Sequence, residues 1–161
     1  MILGSRNDPR VELSILGYQC PSIVDEQHDA NWLMVQARVN ADEGQWKFTD
    51  PCLLTWEVGW LTEWFGLIGE GDMRRKEIGF LEPVISFQLR EWQPDEIVLR
   101  VEFCLEGMPP WLQESKEIDE PYPVELRLTA ADLRAAASAL SYYLERFPPR
   151  AGVPDRLLHL E

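Results

Sequence analysis

Four residues that could bind a metal ion or transfer protons lie close together in the stretch VDEQHDANW: Asp25, Glu26, His28 and Asp29. Carboxylate oxygens suit hard divalent cations, and a histidine beside them could act as a general base. The spacing and glycine of a calcium loop are absent, however, and so are the HxH and HExxH patterns of zinc sites. The other histidine, His159, is far away near the end of the sequence. We therefore favour a solvated turn ahead of a strand, with no metal and no cofactor.

Paired carboxylates offer a second chemistry, because Glu57, Glu63, Glu102 and Glu106 all lie near aromatic residues in the sequence. Two carboxylates about 5 to 9 Å apart in a cleft would suit a glycosidase-type hydrolase. Since the chain contains 28 Asp and Glu residues, exposed helix and strand faces explain these four more simply. We expect no catalytic residues, and a hydrolase that uses clustered carboxylates remains the alternative.

The cysteines point to neither a metal site nor a redox motif. Cys20, Cys52 and Cys104 are widely spaced and form no CxxC pair. Nucleophilic catalysis would depend on His28, and the acidic stretch around that residue is a poor setting for a reactive thiolate. Reduced cysteines, together with an N-terminus that lacks the apolar run of a signal peptide, lead us to expect a cytoplasmic protein.

The net charge of −13 limits the classes of partner. A negative field of this size opposes binding to DNA, RNA or an anionic membrane, and no segment is long and apolar enough to span a bilayer. A basic protein is the favoured partner. A homodimer is the third interpretation, since the seven tryptophans could form a symmetric apolar patch.

Acidic loops and aromatic side chains are the candidate partner-binding residues. Trp60 lies on a helical stripe with Trp56 and Trp64. A core helix is the favoured interpretation, and the alternative is that one stripe of this helix meets a partner or a second copy of the chain. A long loop from Gly107 to Tyr122 combines a tryptophan with several acids, and such loops often carry function. The predicted partner-binding residues are Asp25, Glu26, Asp29, Trp60, Trp111, Glu114, Glu117, Asp119 and Glu120.

The elements that must position these residues can be predicted from periodicity. Apolar and polar residues alternate in six segments, as is typical of antiparallel strands with one solvated face. ADEG and QPDE are typical of the turns of two hairpins. The predicted strands are RVELSIL, NWLMVQARVN, QWKFTD, FLEPVISFQLREW, IVLRVEFCLEG and PVELRLT.

Two segments change to a helical period. The first runs from Leu54 to about Gly69, and the second follows a predicted Thr129–Asp132 capping box and ends before Pro148. We therefore predict an α+β fold: a twisted, mainly antiparallel sheet of six to seven strands with two helices packed on one face. Residues 1–147 should form a single domain, followed by a tail at 148–161 that contains Pro and Gly.

Four longer stretches carry a family resemblance: HDANWLMVQARV, QWKFTDPCLLTWEVGWLTEWF, FLEPVISFQL and VLRVEFCLEGMPPW. In this order they resemble the WapI-like family of bacterial immunity proteins, which protect cells from contact-dependent toxins. The resemblance extends from about Val11 to Leu144. It implies a small cytoplasmic protein that binds and blocks a toxin domain, often a nuclease, without a cofactor or catalytic residues.

Overall fold

Within the residues that the structure describes there are eight strands and three α-helices, so the predicted α+β class is confirmed. The computed structural model describes residues 1–113 and 120–152. A short 3-10 helix spans Leu105–Gly107. In chain order the elements are β1 (Ile2–Leu3), β2 (Arg10–Tyr18), β3 (Trp32–Ala41), β4 (Gly44–Leu54), α1 (Thr55–Gly69), β5 (Glu77–Ile78), β6 (Ile85–Trp92), β7 (Ile97–Phe103), α2 (Pro110–Gln113), β8 (Tyr122–Leu128) and α3 (Ala130–Arg146).

The strands form two four-stranded sheets, whereas the sequence analysis predicted one sheet of six to seven strands. Both sheets are antiparallel meanders, in the orders β1-β2-β3-β4 and β5-β6-β7-β8. Alternation identifies a strand and the face that it buries, but it does not identify the neighbour across a helical connection. Because α1 separates β4 from β5, the sequence pattern left the division into two sheets undetermined.

The predicted hairpins are present in both sheets. In the first, ADEG forms the turn between β3 and β4, where Ala41 pairs with Gly44. In the second, β6 and β7 pair from Ile85 and Phe103 at one end to Trp92 and Ile97 at the other. Alternate residues of these strands are buried, as the period of two predicted.

Local sequence signals also define the ends of the long helices. After α1, the N–H groups of Gly71 and Asp72 donate to Ile68 and Leu67, and Gly71 has a φ of +86° that favours glycine. This hydrogen-bond pattern is a Schellman motif. At the start of α3, the predicted capping box is confirmed, because the backbone N–H of Thr129 donates to the carboxylate of Asp132 at 2.7 Å.

The two long helices pack antiparallel against each other and share one core with both sheets. Gly59 near the start of α1 faces Leu144 near the end of α3, whereas Gly69 at the other end of α1 faces Leu133. Aromatic residues of α1 also pack on the second sheet, with Trp64 and Phe65 both in ring contact with Phe87. The buried apolar residues of both sheets and both helices form one continuous cluster.

Candidate partner-binding surface

The loop between β2 and β3, residues 19–31, presents the predicted acids Asp25, Glu26 and Asp29 to solvent. A fully buried asparagine, Asn31, ends this loop. Its side-chain amide donates to the carbonyl of Gln27 at 2.8 Å, so the loop is held from within.

Asn31 also joins the loop to two distant parts of the chain. Its Oδ1 accepts hydrogen bonds from the hydroxyl of Thr55 and from the backbone N–H of Arg150, each at 2.8 Å. Its amide donates to the carbonyl of Ala151 at 3.1 Å. The loop, the start of α1 and residues 148–152 therefore meet at one buried polar group.

Arg150 forms a second attachment between the predicted tail and the loop. Its guanidinium lies 3.5 Å from the ring centroid of Tyr18, a cation–π geometry. Its Nη1 donates to the carbonyl oxygens of Cys20, Pro21 and Ile23 at 2.6 to 3.3 Å. Residues 148–152 thus contact the domain, while the boundary at 147 remains a prediction and the rest of the tail, with His159, lies outside the described residues.

A mainly apolar cavity of about 290 Å³ opens beside this loop, and we call it the tryptophan cavity. Its lining includes His28 from the loop, Trp56 and Trp60 from α1, and Phe80 and Leu81 from the segment before β6. Trp56 is buried and meets the ring of His28 edge-on at 5.8 Å, whereas Trp60 is only half-buried. The core-helix interpretation is therefore confirmed for Trp56 and Trp64, which are 7% and 1% exposed, whereas Trp60 remains accessible.

Glu57 also lines the tryptophan cavity and is 2% exposed, so the expectation that it lies on a solvated helix face was wrong. One carboxylate oxygen accepts the N–H of Leu54 at 2.9 Å and the other accepts the N–H of Leu81 at 2.7 Å. Burial raises the pKa of Glu57, and these two hydrogen bonds act in the opposite direction. The carboxylate joins the start of α1 to the segment before β6. This contact could not be predicted from the hydrophobic periodicity of the sequence.

Next to the tryptophan cavity lies a shallower hollow of about 280 Å³ that contains three carboxylates, which we call the acidic depression. Asp50, Glu82 and Glu106 line it together with Trp32. Burial raises the pKa of Asp50, and the negative charges of Glu106 and Glu82 raise it further.

A β-bulge explains the position of Asp50. Between the pairs Val35–Asp50 and Leu33–Leu53, β4 contains one more residue than β3. Such a bulge bends the strand and changes the direction of its side chains, and Pro51 is compatible with it because β4 is an edge strand. The two hollows are neighbours because Leu81 and Glu82 are consecutive and Trp32 pairs with Leu54.

The four glutamates considered for a hydrolase do not converge. Glu57 lines the tryptophan cavity, Glu106 the acidic depression, and Glu63 a separate groove of about 1130 Å³ beside Arg74. Glu102 instead accepts a hydrogen bond from Gln88 at 3.1 Å on the second sheet. Within residues 1–113 and 120–152, no group of three or more His, Cys, Asp and Glu side chains is placed to hold a metal ion.

Trp111 on α2 is 43% exposed and belongs to an aromatic cluster at the other end of the molecule. Its ring meets Trp46 edge-on at 5.6 Å and Tyr122 at 6.4 Å. The Tyr122 hydroxyl donates to Glu43 at 3.0 Å, and burial together with this carboxylate raises the pKa of Tyr122 to about 12. Glu120, two positions before Tyr122 in the sequence, is exposed. Glu114, Glu117 and Asp119 lie outside the described residues.

The predicted binding residues therefore fall into two groups at opposite ends of the β3–β4 hairpin. The β2–β3 loop and Trp60 lie near the end where Trp32 pairs with Leu54. Trp111 packs beside the turn at Gly44. Because a strand rises about 3.3 Å per residue, the length of β3 separates the two groups by roughly 30 Å.

Comparison with known proteins identifies the family. No curated protein shows significant similarity to the chain. Among the described residues, no helix is long and apolar enough to cross a membrane. The family model described as the immunity protein WapI-like family matches residues 1–148, which include every strand and helix reported above. The chain is therefore a member of the WapI-like immunity protein family.

Proposed function

We propose that this protein is a cytoplasmic immunity protein of a bacterium that binds a cognate toxin domain and blocks it without catalysing a reaction. Family membership supports the immunity role. The observation that carries the binding proposal is the concentration of acids at one end of the first sheet. These acids are Asp25, Glu26 and Asp29 on the β2–β3 loop and Asp50, Glu82 and Glu106 in the acidic depression.

The chemistry of the partner follows from this charge. A basic protein would be attracted to the acidic end, and the attraction would accelerate association more than it strengthens the final complex. A nuclease domain fits this description because its substrate groove must be basic to hold phosphates. An immunity protein that occupied such a groove would exclude the nucleic acid and would need no cofactor.

The second group of predicted residues extends the proposal to the opposite end of the molecule. Trp111 offers an exposed aromatic ring beside Glu43, and Glu120 lies at the border of the predicted acidic segment with Glu114, Glu117 and Asp119. Since a standard interface buries about 800 Å² on each partner, we propose the β2–β3 loop end as the main contact. The Trp111 end would engage a larger partner only.

Co-expression with the toxin domain encoded by the neighbouring gene tests the proposal. The wild-type protein should restore growth, whereas Glu82→Lys combined with Glu106→Lys should lose protection because it reverses two charges of the acidic depression. These changes also relieve repulsion on Asp50, so the variant should fold. Glu91→Lys combined with Asp95→Lys is the matched control, since it also reverses two charges and both residues are exposed at the far end of β6 and β7.

Two results would argue against the proposal. If the wild-type protein neither restores growth nor forms a complex in gel filtration, the immunity function is wrong. If Glu91→Lys combined with Asp95→Lys weakens protection as much as the reversal of Glu82 and Glu106 does, net charge alone is responsible and the acidic depression has no special role.

The convergence of Asp50 with Glu106 is the one observation that favours a hydrolase as a second candidate. A carboxyl with a raised pKa beside an ionised one is the arrangement of a general acid–base pair. A hydrolase would lose all activity in Asp50→Asn and in Glu106→Gln. Toxin neutralisation should survive both of these isosteric changes, because each leaves most of the acidic surface in place.

A further inference from the structure

We infer that the tryptophan cavity receives an apolar side chain from the surface of a basic partner protein, as the anchor of the interface. This inference rests on the proposed function and names the site and chemistry of contact. Two large apolar residues at this end of the molecule are each 59% exposed: Leu81, which lines the cavity, and Val24 on the β2–β3 loop. The exposure of Leu81 at an open cavity marks an apolar area that nothing within the described chain covers, and Val24 adds exposed apolar surface on the loop that contributes His28 to the lining.

The walls of the cavity favour an apolar occupant. Trp56, Trp60, Phe80 and Leu81 contribute mainly carbon surface. Arg75 also lines the cavity, and its Nε donates to the carbonyl of Glu77 at 3.0 Å. The carboxylate of Glu57 already accepts two backbone hydrogen bonds, so it is not an unpaired polar group that would call for a charged ligand. Aromatic pockets that exclude water are where most of the binding energy of an interface is concentrated.

The size of the cavity suits one side chain. Its volume of about 290 Å³ is at the lower limit of the range of roughly 300 to 1,000 Å³ that is usual for small-molecule sites. One large aliphatic or aromatic side chain, carried on a protein surface, therefore suits it better than a free metabolite does.

On the side of the β2–β3 loop the surroundings of the cavity are acidic and favour a basic partner, whereas Arg75 is the one cation among the described lining residues. The loop that contributes His28 also carries Asp25, Glu26 and Asp29 at exposed positions, and Glu82 follows Leu81. An apolar centre with a charged, solvated rim is the usual anatomy of a protein interface. A second copy of this chain is disfavoured as the occupant, because each copy has a net charge of −13 and would present the same acidic rim.

Gly79 provides a way to obstruct the cavity without disturbing the fold. It lines the cavity, and a Cβ added there meets no atom within 4 Å. Gly79 also lines the groove of about 1130 Å³ that contains Glu63. Gly79→Phe should therefore keep the wild-type melting temperature while obstructing the boundary between that groove and the cavity. Gly66→Phe is the matched control, because Gly66 also has no atom within 4 Å of an added Cβ and lies on α1 outside the cavity lining.

Leu81→Ala provides a second, subtractive variant. The Leu81 side chain is largely exposed, so its loss should cost little stability, and its backbone N–H can still donate to Glu57. The partner probe is a catalytically inactive form of the toxin domain encoded by the neighbouring gene, titrated against each purified variant. Gly79→Phe should raise Kd about tenfold or more, as loss of an interface anchor does, and Leu81→Ala should raise it in the same direction.

The outcomes separate the inference from the proposed function. Wild-type affinity in both Gly79→Phe and Leu81→Ala overturns the anchor inference while the immunity function stands. An equal loss of affinity in Gly66→Phe also overturns it, because the effect would then not be specific to the cavity. A wild-type dimer that Gly79→Phe dissociates would overturn it in favour of a second copy of the chain. Absence of any complex with the wild-type protein contradicts the proposed function itself.

Discussion

At the residue scale, Asn31 is the polar group that holds the β2–β3 loop in place through the most hydrogen bonds. Asn31→Ala would remove four hydrogen bonds and leave the buried hydroxyl of Thr55 without this partner. Burying polar groups without partners costs about 1–3 kcal/mol each, so we expect the free energy of unfolding to fall by about 2–4 kcal/mol. Urea unfolding measures this change.

Asn40→Ala is the control for Asn31, because the Asn40 amide makes one exposed hydrogen bond, to the carbonyl of Asp8 at 3.3 Å. Exposed surface substitutions usually change stability by less than about 0.5 kcal/mol. If Asn31→Ala were no more destabilising than Asn40→Ala, the Asn31 hydrogen bonds would not hold the loop as described.

The raised pKa of Asp50 predicts how the stability of the protein depends on pH. Its pKa in the folded protein is raised above the ordinary value of 3.8, so the folded state binds the proton more tightly than the unfolded state does. Stability contributed by this group is therefore lost as the pH rises from 3.8 through the folded pKa. Asp50→Asn should stabilise the protein at pH 7 by about 0.2–1 kcal/mol, the range for charges that solvent screens, and the gain should vanish below pH 3.8.

Thermal or urea unfolding of Asp50→Asn at pH 3 and at pH 7 measures this prediction. Glu82→Gln is the companion variant, because it removes one neighbouring charge and leaves Asp50 in place. It should stabilise the protein at pH 7 by a smaller amount. A loss of stability at pH 7 in both variants would contradict the repulsion inferred for the acidic depression.

At the element scale, the β2–β3 loop and residues 148–152 behave as one unit in this fold. Arg150→Ala would remove three hydrogen bonds from a charged group to loop carbonyls and the contact with the Tyr18 ring. Hydrogen bonds to charged groups contribute about 1.5–3 kcal/mol, so amide hydrogen exchange in residues 20–30 should become about tenfold to a hundredfold faster. Exchange in β3 should not change.

Arg146→Ala is the control for Arg150. The Arg146 guanidinium lies 5.7 Å from the ring of Phe147 at the end of α3, and within residues 1–113 and 120–152 no hydrogen bond or ion pair joins it to the β2–β3 loop. It should leave exchange in residues 20–30 unchanged. Equal protection of the loop in Arg150→Ala and in the wild-type protein would mean that residues 148–152 do not order it.

Elements with a clear period could be predicted from the sequence, and short or non-local features could not. The capping box at Thr129, the turn at Ala41–Gly44 and the hairpin of β6 and β7 all depend on residues close together in the sequence. The two-residue strands β1 and β5 are too short to show alternation.

The candidate site shows the same division. The acids of the β2–β3 loop and Trp60 could be proposed from the sequence, because each belongs to a conspicuous local stretch. The sequence did not identify Asp50 or Glu82 as neighbours of Glu106, because three separate elements bring them together. The role of Arg150 was also missed, since it depends on contacts across more than 120 positions of the chain. A lone arginine within a segment rich in proline and glycine gave no signal of this role.

At the scale of the whole molecule, acidity and family membership point to the same function. The net charge of −13 would oppose nucleic acids and favour a basic protein. The fold presents acids at both ends of the β3–β4 hairpin, and the tryptophan cavity lies at the end where the loop is anchored. These features together support a binding surface with an apolar centre and an acidic rim.

The most direct test of this account is calorimetric titration of the purified protein with an inactive form of the proposed cognate toxin domain, at low and at high ionic strength. We expect a saturable complex whose Kd rises with salt, because screening weakens the attraction between an acidic surface and a basic partner. Absence of binding at low ionic strength would contradict the immunity function, and a Kd independent of salt would contradict the acidic surface as its basis.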